Sequence, residues 1–255
     1  MNPDISLLPD ERLDKINENL SLIQLKDGLT FGTDAYLLAA FTRPQRAAGA
    51  DLGSGTGVAA FLCLSKNKFP HMHAFEIQPR FADLIQRNAA LNGLSERITV
   101  HNADVRSALP KDTGGWLDGI ISNPPYMKDG SGFSNVSDTK NIARREVCGT
   151  IEDFCAGASS LLKHGGLFTV VYRPDRLADL FYAMRKTDLE PKRIVLVYSD
   201  TASPPSLVLA EGKKGAASSL VWARPLIIYQ TGTRTYTADM DKVYETCSMD
   251  FLFER

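Results

Sequence analysis

The stretch that decides the fold of this chain is Asp51-Leu52-Gly53-Ser54-Gly55-Thr56-Gly57. An apolar approach precedes it and an apolar run follows at residues 58–64, a pattern typical of strand, glycine-rich turn and helix. Such a turn lets a ligand approach the backbone closely. A dinucleotide fingerprint needs glycine or alanine where this chain has Val58. The acid at Asp51 instead favours a nucleoside ligand with a positive ammonium or sulfonium group and no phosphates. The predicted ligand contacts in the turn are Asp51, Gly53, Ser54 and Gly55.

Acidic residues also follow the next two predicted strands. Residues 73–77 form a short apolar run ending in Glu76 and Ile77, and residues 98–101 are followed by Asp104 and Val105. Carboxylates at these positions accept hydrogen bonds from ribose hydroxyls and from an adenine amino group. Because the carboxyl ends of parallel strands meet at one edge, we expect a single ligand crevice there. Glu76 would serve a nicotinamide dinucleotide equally well, and Asp104 alone would also suit a helix cap.

A fourth predicted strand, residues 117–122, ends in Asn123-Pro124-Pro125-Tyr126. Two consecutive prolines restrict the backbone and remove two N–H donors. The result is a rigid ledge that offers the Asn123 side-chain oxygen and the Pro124 carbonyl as acceptors, with the Tyr126 ring beside them. This combination suits a planar NH2 group, which donates two hydrogens and has a flat face to stack. Taken alone, the same residues could form a structural Pro-Pro turn.

The strand and helix patterns alternate along the chain, which predicts an α/β fold with a doubly wound parallel sheet. A hairpin is expected at residues 21–28. The last strands are expected at residues 194–198 and 226–229, with 206–210 as a third candidate, and they predict an antiparallel finish. At 255 residues and 44% hydrophobic content, the chain can form one globular domain. We divide it into an N-terminal segment, residues 1–45, packed on the core, and a domain of residues 46–255.

Composition excludes several functional classes. The net charge of −1 is not that of a protein that binds nucleic acid through bulk charge, although a local basic patch would suffice. No apolar run is long enough to span a bilayer, and we expect a cytoplasmic protein with four reduced cysteines. His71 and His73 alternate on one strand, but no third ligand is spaced for a metal. We therefore expect no metal and no membrane partner, and we favour a monomer.

These motifs resemble the class I methyltransferases, which use S-adenosylmethionine. In that group Asn-Pro-Pro-Tyr marks enzymes that methylate a planar amine, either adenine N6 or the glutamine amide of release factors. Residues 31–41, Ala143-Arg144-Arg145-Glu146 and the tail from residue 190 to 229 resemble the bacterial tRNA1(Val) adenine-N6 methyltransferase family. Family members often carry histidine where this chain has Arg145. The resemblance implies a Rossmann-like, mostly parallel seven-stranded sheet with an antiparallel C-terminal hairpin.

The resemblance also implies partners and roles. S-adenosylmethionine would be the cofactor, tRNA the partner, and Asn123, Pro124, Pro125 and Tyr126 the catalytic residues. It gives Asp34 a role on the cofactor side, although Thr33 and Asp34 would equally suit a helix N-cap. The pairs Arg144-Arg145 and Lys213-Lys214 would hold RNA phosphates if they border the ledge, or would otherwise be solvated surface.

Two other functions are consistent with the same motifs. A release-factor glutamine methyltransferase would use an identical ledge, but such enzymes usually carry a helical N-terminal domain. Only about fifty residues precede Asp51, too few for such a domain. A non-catalytic module would bind cofactor or RNA without turnover, yet it would have no need of a rigid amine acceptor.

Overall fold

A computed structural model describes residues 6–26, 32–125 and 149–254 of the chain. The strands are β1 Glu11–Asn17, β2 Leu20–Leu25, β3 Gly49–Leu52, β4 Met72–Phe75, β5 Ile98–His101, β6 Leu117–Ser122, β7 Leu162–Tyr172, β8 Leu189–Tyr198, β9 Pro205–Lys214, β10 Val221–Trp222 and β11 Leu226–Ile227. The α-helices are α1 Thr33–Phe41, α2 Val58–Ser65, α3 Pro79–Leu91, α4 Ile151–Leu161, α5 Leu177–Lys186 and α6 Ala238–Thr246. Short 3-10 turns connect several of these elements.

Nine of the described strands form the main sheet, in the order β10-β8-β9-β7-β6-β3-β4-β5, with β11 also paired to β8. The strands β3 to β7 run parallel, while β9 is antiparallel to both of its neighbours, β7 and β8. The chain winds from β3 outward to β5 and then returns to β6 on the other side of β3. The ligand crevice of an open α/β sheet lies at this reversal of strand order, beyond the carboxyl ends of the strands.

Side chains from each long strand are divided between two cores, one on each face of the sheet. Ile120 and Val170 pack with helices α4 and α5, whereas the next residues, Ile121 and Val171, pack with α1, α2 and α3. This alternation is the two-residue period of a strand whose faces are both covered. The predicted doubly wound α/β fold is confirmed.

The C-terminal end of the sheet differs from the sequence prediction in its strand assignment. The antiparallel hairpin is formed by β8 and β9, with partners from Leu189 opposite Lys214 to Tyr198 opposite Pro205. The predicted final strand at residues 226–229 is instead the two-residue β11, which runs parallel to β8. Residues 206–210 are part of the ten-residue β9, whose central position lets it bond on both edges.

A separate two-stranded hairpin, β1 and β2, packs against helix α3. The Asn88 side chain accepts from the Ile23 N–H at 2.6 Å and donates to the Ile23 carbonyl at 3.1 Å. These two bonds take the place of the backbone bonds that a neighbouring strand would make to Ile23. The buried Glu11 carboxylate accepts from Arg80 at 2.7 Å and from Arg87 at 2.6 and 2.8 Å. The expected hairpin at residues 21–28 is therefore wrong in position, because β2 pairs with the preceding strand.

Candidate functional site

A cavity of about 320 Å³ lies at the carboxyl edge of the sheet, where β3, β4, β5 and β6 end. Every residue predicted to contact a cofactor lines it: Asp34, Asp51, Gly53, Ser54, Gly55, Glu76, Ile77, Asp104, Val105 and Asn123. The sequence analysis missed Gln24 and Leu25 from β2, Phe81 from α3 and Phe154 from α4. These four residues carry no local signal, because each lies within an ordinary strand or helix pattern.

The glycine turn uses its backbone N–H groups internally. Gly53 and Ser54 donate to the Phe75 carbonyl at 2.9 and 3.0 Å, and Gly55 donates to a Glu76 carboxylate oxygen at 2.8 Å. Gly53 has a φ of 71°, and a Cβ there would lie 2.9 Å from the Phe154 ring. The turn therefore allows close packing, but these three N–H groups are engaged within the protein and do not point to a phosphate.

Asp51 is the acid best suited to bind a positively charged ligand. It is 2% exposed, and burial raises the pKa of its carboxyl to about 7, with a further rise from the nearby charge of Glu76. The Ala60 backbone N–H bonds to the carboxylate and partly opposes that rise. Its Oδ2 atom is buried and has no hydrogen-bond partner among the described residues. An ammonium group of a ligand would supply the missing donor and the compensating charge.

Glu76 and Asp104 are carboxylates with partners already in place. Glu76 accepts from the Gly55 and Gln78 backbone N–H groups at 2.8 and 2.9 Å, while burial raises the pKa of its carboxyl. Each carboxylate has about four lone-pair sites, so Glu76 retains acceptor capacity for hydroxyl groups. Asp104 accepts from the Arg106 backbone and side chain at 2.9 Å, and this bonding lowers its pKa. Asp104 thus both caps a 3-10 turn and lines the cavity.

Asp34 orients the ledge. The Asn123 Nδ2 group donates to Asp34 Oδ2 at 2.9 Å. Because an ionised carboxylate only accepts hydrogen bonds, the NH2 end of the amide must face Asp34, and the oxygen forms the other end. The N-cap residue of helix α1 is Gly32 and neither Thr33 nor Asp34, although Asp34 Oδ1 accepts from the Ala35 N–H of the first turn at 3.0 Å. The ledge is also tied to the glycine turn, since Ser122 Oγ donates to the Leu52 carbonyl at 2.8 Å.

A second cavity, of about 410 Å³, adjoins the ledge. Pro125 lines both cavities, whereas Pro124, Tyr172 and Arg176 line only the second. The ledge therefore separates the space beside the glycine turn from a space that contains aromatic and cationic side chains. The two cavities are therefore adjacent and share Pro125 in their linings.

The predicted basic residues are not brought to the ledge where the structure describes them. Lys213 lies opposite Leu167, the first residue of β7 that pairs with β9, so it lies towards the amino-terminal end of β7 and away from the cavity at the carboxyl ends of the strands. Lys214 Nζ donates to the Leu162 carbonyl at 2.9 Å, a contact at the same distant edge. The condition for the phosphate-binding alternative, that Lys213 and Lys214 border the ledge, is therefore not met, because β9 runs antiparallel to β7. Tyr126, Arg144 and Arg145 lie outside the described residues.

Among the described residues, no group of three or more potential ligands from His, Cys, Asp and Glu is present. His73 Nδ1 lies 3.0 Å from His101 Nε2, and burial lowers the pKa of His73 to about 4. Cys63, Cys155 and Cys247 are buried free thiols, and burial raises the pKa of Cys155 to about 12. Among the described helices none is long and apolar enough to cross a bilayer.

Comparison with known proteins agrees with this geometry. The family model of the methyltransferase small domain matches residues 25–186. The chain belongs to the methyltransferase small domain family. This methyltransferase is 31% identical over 185 residues to the "tRNA1(Val) (adenine(37)-N6)-methyltransferase" of Bacteroides fragilis, a match covering 72% of this chain and 77% of the relative. The resemblance inferred from the sequence motifs is thereby confirmed.

Solved structures share the fold of this methyltransferase. A predicted O-methyltransferase from Agrobacterium tumefaciens superimposes with a TM-score of 0.66 at 24% identity, covering 84% of this chain and 97% of that one. M. jannaschii TYW2 in complex with AdoMet gives a TM-score of 0.55 at 15% identity, with coverage of 82% and 88%. The protein is an S-adenosylmethionine-dependent methyltransferase with a class I fold. The cavity fits this cofactor, since Asp51 Oδ2 lacks a donor and no cationic side chain is among its described lining residues.

Proposed function

We propose that this methyltransferase modifies the exocyclic N6 amine of an adenosine in tRNA, next to the anticodon of tRNA1(Val). The observation that supports the proposal is the hydrogen bond from Asn123 Nδ2 to Asp34 Oδ2 at 2.9 Å, which fixes the oxygen as the other end of the amide. An amide held this way presents an oxygen to an incoming NH2 group, as the acceptor chemistry requires. The B. fragilis relative is named for this reaction, and its name supports the choice of substrate.

The adenine N6 amine is a poor nucleophile because its lone pair is delocalised into the ring. Hydrogen bonds from this amine to the Asn123 oxygen and the Pro124 carbonyl would favour a pyramidal nitrogen and direct its lone pair. When bound, S-adenosylmethionine supplies a methyl group on a positively charged sulfur. The protein contributes orientation and fixed dipoles, so it needs no strong base before transfer. The proton of the amine can leave afterwards.

The second cavity provides a place for the acceptor base. Its lining includes the Tyr182 ring, which is 61% exposed and of a type that stacks on a base, and Arg176, which is paired with Asp179. A base that enters this cavity must leave its stacked neighbours, as other enzymes that modify bases require. The neutral Asn123 adds no charge beside the amine. A tRNA partner and a cytoplasmic location follow from this proposal.

The test offers total tRNA and purified release factor in parallel, with labelled S-adenosylmethionine as donor. We expect the label in tRNA as N6-methyladenosine. Label in the release factor would contradict the RNA assignment while preserving the amine chemistry. Label in neither acceptor would contradict both.

Asn123→Ala tests the ledge directly. We expect it to keep cofactor affinity, measured by calorimetry, and to lose methyl transfer by about 100-fold or more, as when a preorganised polar group is removed. Asn19→Ala, at an exposed position of the β1–β2 turn, is the matched control and should retain the parent rate. An Asn123→Ala enzyme that transfers methyl groups at the parent rate would refute the mechanism.

A further inference from the structure

The cofactor cavity is acidic and contains four carboxylates: Asp34, Asp51, Glu76 and Asp104. No lysine or arginine is among its described lining residues. S-adenosylmethionine carries an amino-acid end with both an ammonium and a carboxylate. The ammonium matches the unpaired Asp51 Oδ2 atom, but the carboxylate requires a hydrogen-bond donor that is not a cation.

Most of the donors that face the cavity are already engaged. The N–H groups of Gly53, Ser54 and Gly55 donate within the protein. The Ser54 hydroxyl donates to the Asp51 carbonyl at 2.8 Å, and the Asn123 amide donates to Asp34. Gln78 is exposed to solvent and its side chain interacts with the Glu76 carboxylate, which leaves the Gln24 amide and the Thr56 hydroxyl as the remaining side-chain donors in the described lining.

Gln24 is the more unusual of these two groups. It is 1% exposed, lies near the end of β2, and its Nε2 atom is buried with no hydrogen-bond partner in the described part of the chain. Burying an amide NH2 group without a hydrogen-bond partner lowers the stability of the fold, so the presence of glutamine at this position calls for an explanation. In this orientation the unpartnered atom is a donor, which suits a carboxylate, whereas the exchanged orientation would leave an unpartnered acceptor there instead.

We propose that Gln24 donates a hydrogen bond to the carboxylate at the amino-acid end of the cofactor, while Asp51 binds its ammonium. This proposal rests on the S-adenosylmethionine-dependent function assigned above. It makes the N-terminal hairpin part of the cofactor site, although the hairpin lies outside the main sheet.

Contacts of the hairpin with α3 hold Gln24 in this place. Ile23, the preceding residue, is bonded on both backbone groups by Asn88, and its side chain points to the opposite face of the strand. The same Asn88 amide also donates to the Thr56 carbonyl at 3.3 Å, which links β2 to the glycine turn. Helix α3, through Asn88, therefore positions both Gln24 and the glycine turn.

The test compares two ligands that differ only in the carboxylate. S-adenosylhomocysteine carries it, and the decarboxylated form of S-adenosylhomocysteine retains the ammonium alone. With Gln24→Leu we expect calorimetry to show a loss of about tenfold or more in affinity for S-adenosylhomocysteine, the usual effect of one hydrogen bond to a charged group. Affinity for the decarboxylated ligand should stay within about twofold of the parent by the same reasoning.

Gln24→Glu sharpens the test, because it places a negative charge beside the ligand carboxylate. We expect it to weaken binding of S-adenosylhomocysteine more than Gln24→Leu does. Thr56→Val examines the other remaining donor, and Gln86→Leu at an exposed position of α3 is the matched control. Thermal unfolding of each variant establishes that the chain is folded before binding is measured.

Several outcomes would overturn the proposal. Equal losses for both ligands in Gln24→Leu would show contact with the nucleoside or altered cavity shape. A carboxylate-dependent loss in Thr56→Val with none in Gln24→Leu would assign the role to Thr56. A parent protein that binds neither ligand would overturn this proposal and the cofactor assignment together, whereas parent binding with an unaffected Gln24→Leu variant would overturn this proposal alone.

Discussion

Replacing Asp51 with Asn should stabilise the protein while it damages the cofactor site. Burial raises the pKa of Asp51 to about 7, from an ordinary value of 3.8. Between these two pH values the Asp51 carboxyl is protonated in the folded state and ionised in the unfolded state. The free energy of unfolding therefore falls as the pH rises through that window. Each pKa unit corresponds to about 1.4 kcal/mol, so the ionised group costs the folded state about 4 kcal/mol at pH 8.

The magnitude expected for Asp51→Asn depends on pH. At pH 5 the same relation gives a cost of only about 2 kcal/mol, so the gain from the variant should grow by about 2–3 kcal/mol between pH 5 and pH 8. The new amide would have an unpaired NH2 where Oδ2 now lies, which costs about 1–3 kcal/mol at either pH. This penalty lowers the absolute gain but cancels in the difference between the two pH values.

Urea denaturation of the parent and of Asp51→Asn at both pH values measures this difference. Asp241→Asn, at an exposed position of α6, controls for the loss of a surface charge. A stability difference that stays constant from pH 5 to pH 8 would refute the buried-acid argument. In the same variant, affinity for S-adenosylhomocysteine should fall by about 10- to 100-fold, because the ammonium loses a charged acceptor.

Two further predictions concern a carboxylate that lines the cavity, Glu76, and a buried carboxylate of the N-terminal hairpin, Glu11. Glu76→Ala should weaken cofactor binding by about 1–3 kcal/mol, and an unchanged dissociation constant by calorimetry would remove Glu76 from the site. Glu11→Gln should destabilise the fold at pH 7 by about 3 kcal/mol, since hydrogen bonding to Arg87 lowers the Glu11 pKa to about 2 from 4.5. That stabilisation is present above pH 4.5 and is lost as the pH falls towards 2. A Glu11→Gln effect that persists undiminished at pH 2 would contradict this account.

The fold and the convergence of the acids on one cavity could be predicted from local pattern because both follow from chain geometry. Apolar runs alternate between strand and helix periods, and parallel strands place their carboxyl ends at one edge. Asp51, Glu76 and Asp104 each stand at such an end, so their convergence needed no knowledge of packing. The division at residue 45 was also read from sequence, and it stays a prediction.

Contacts between distant segments were beyond local pattern. The sequence left open whether Lys213 and Lys214 border the ledge, and the antiparallel course of β9 carries them to the opposite edge of the sheet. Gln24 gave no signal, because a glutamine in a short strand is ordinary until α3 packs against that strand and buries it.

The sequence by itself determined the glycine turn, the order of the acids and the Asn-Pro-Pro-Tyr ledge, since these depend on residue type and on neighbours along the chain. Only the tertiary structure decided which way the Asn123 amide points and which buried polar atoms lack partners. Asp34 lies 89 positions before Asn123, and a hydrogen bond between them exists only after helix α1 has packed beside the end of β6.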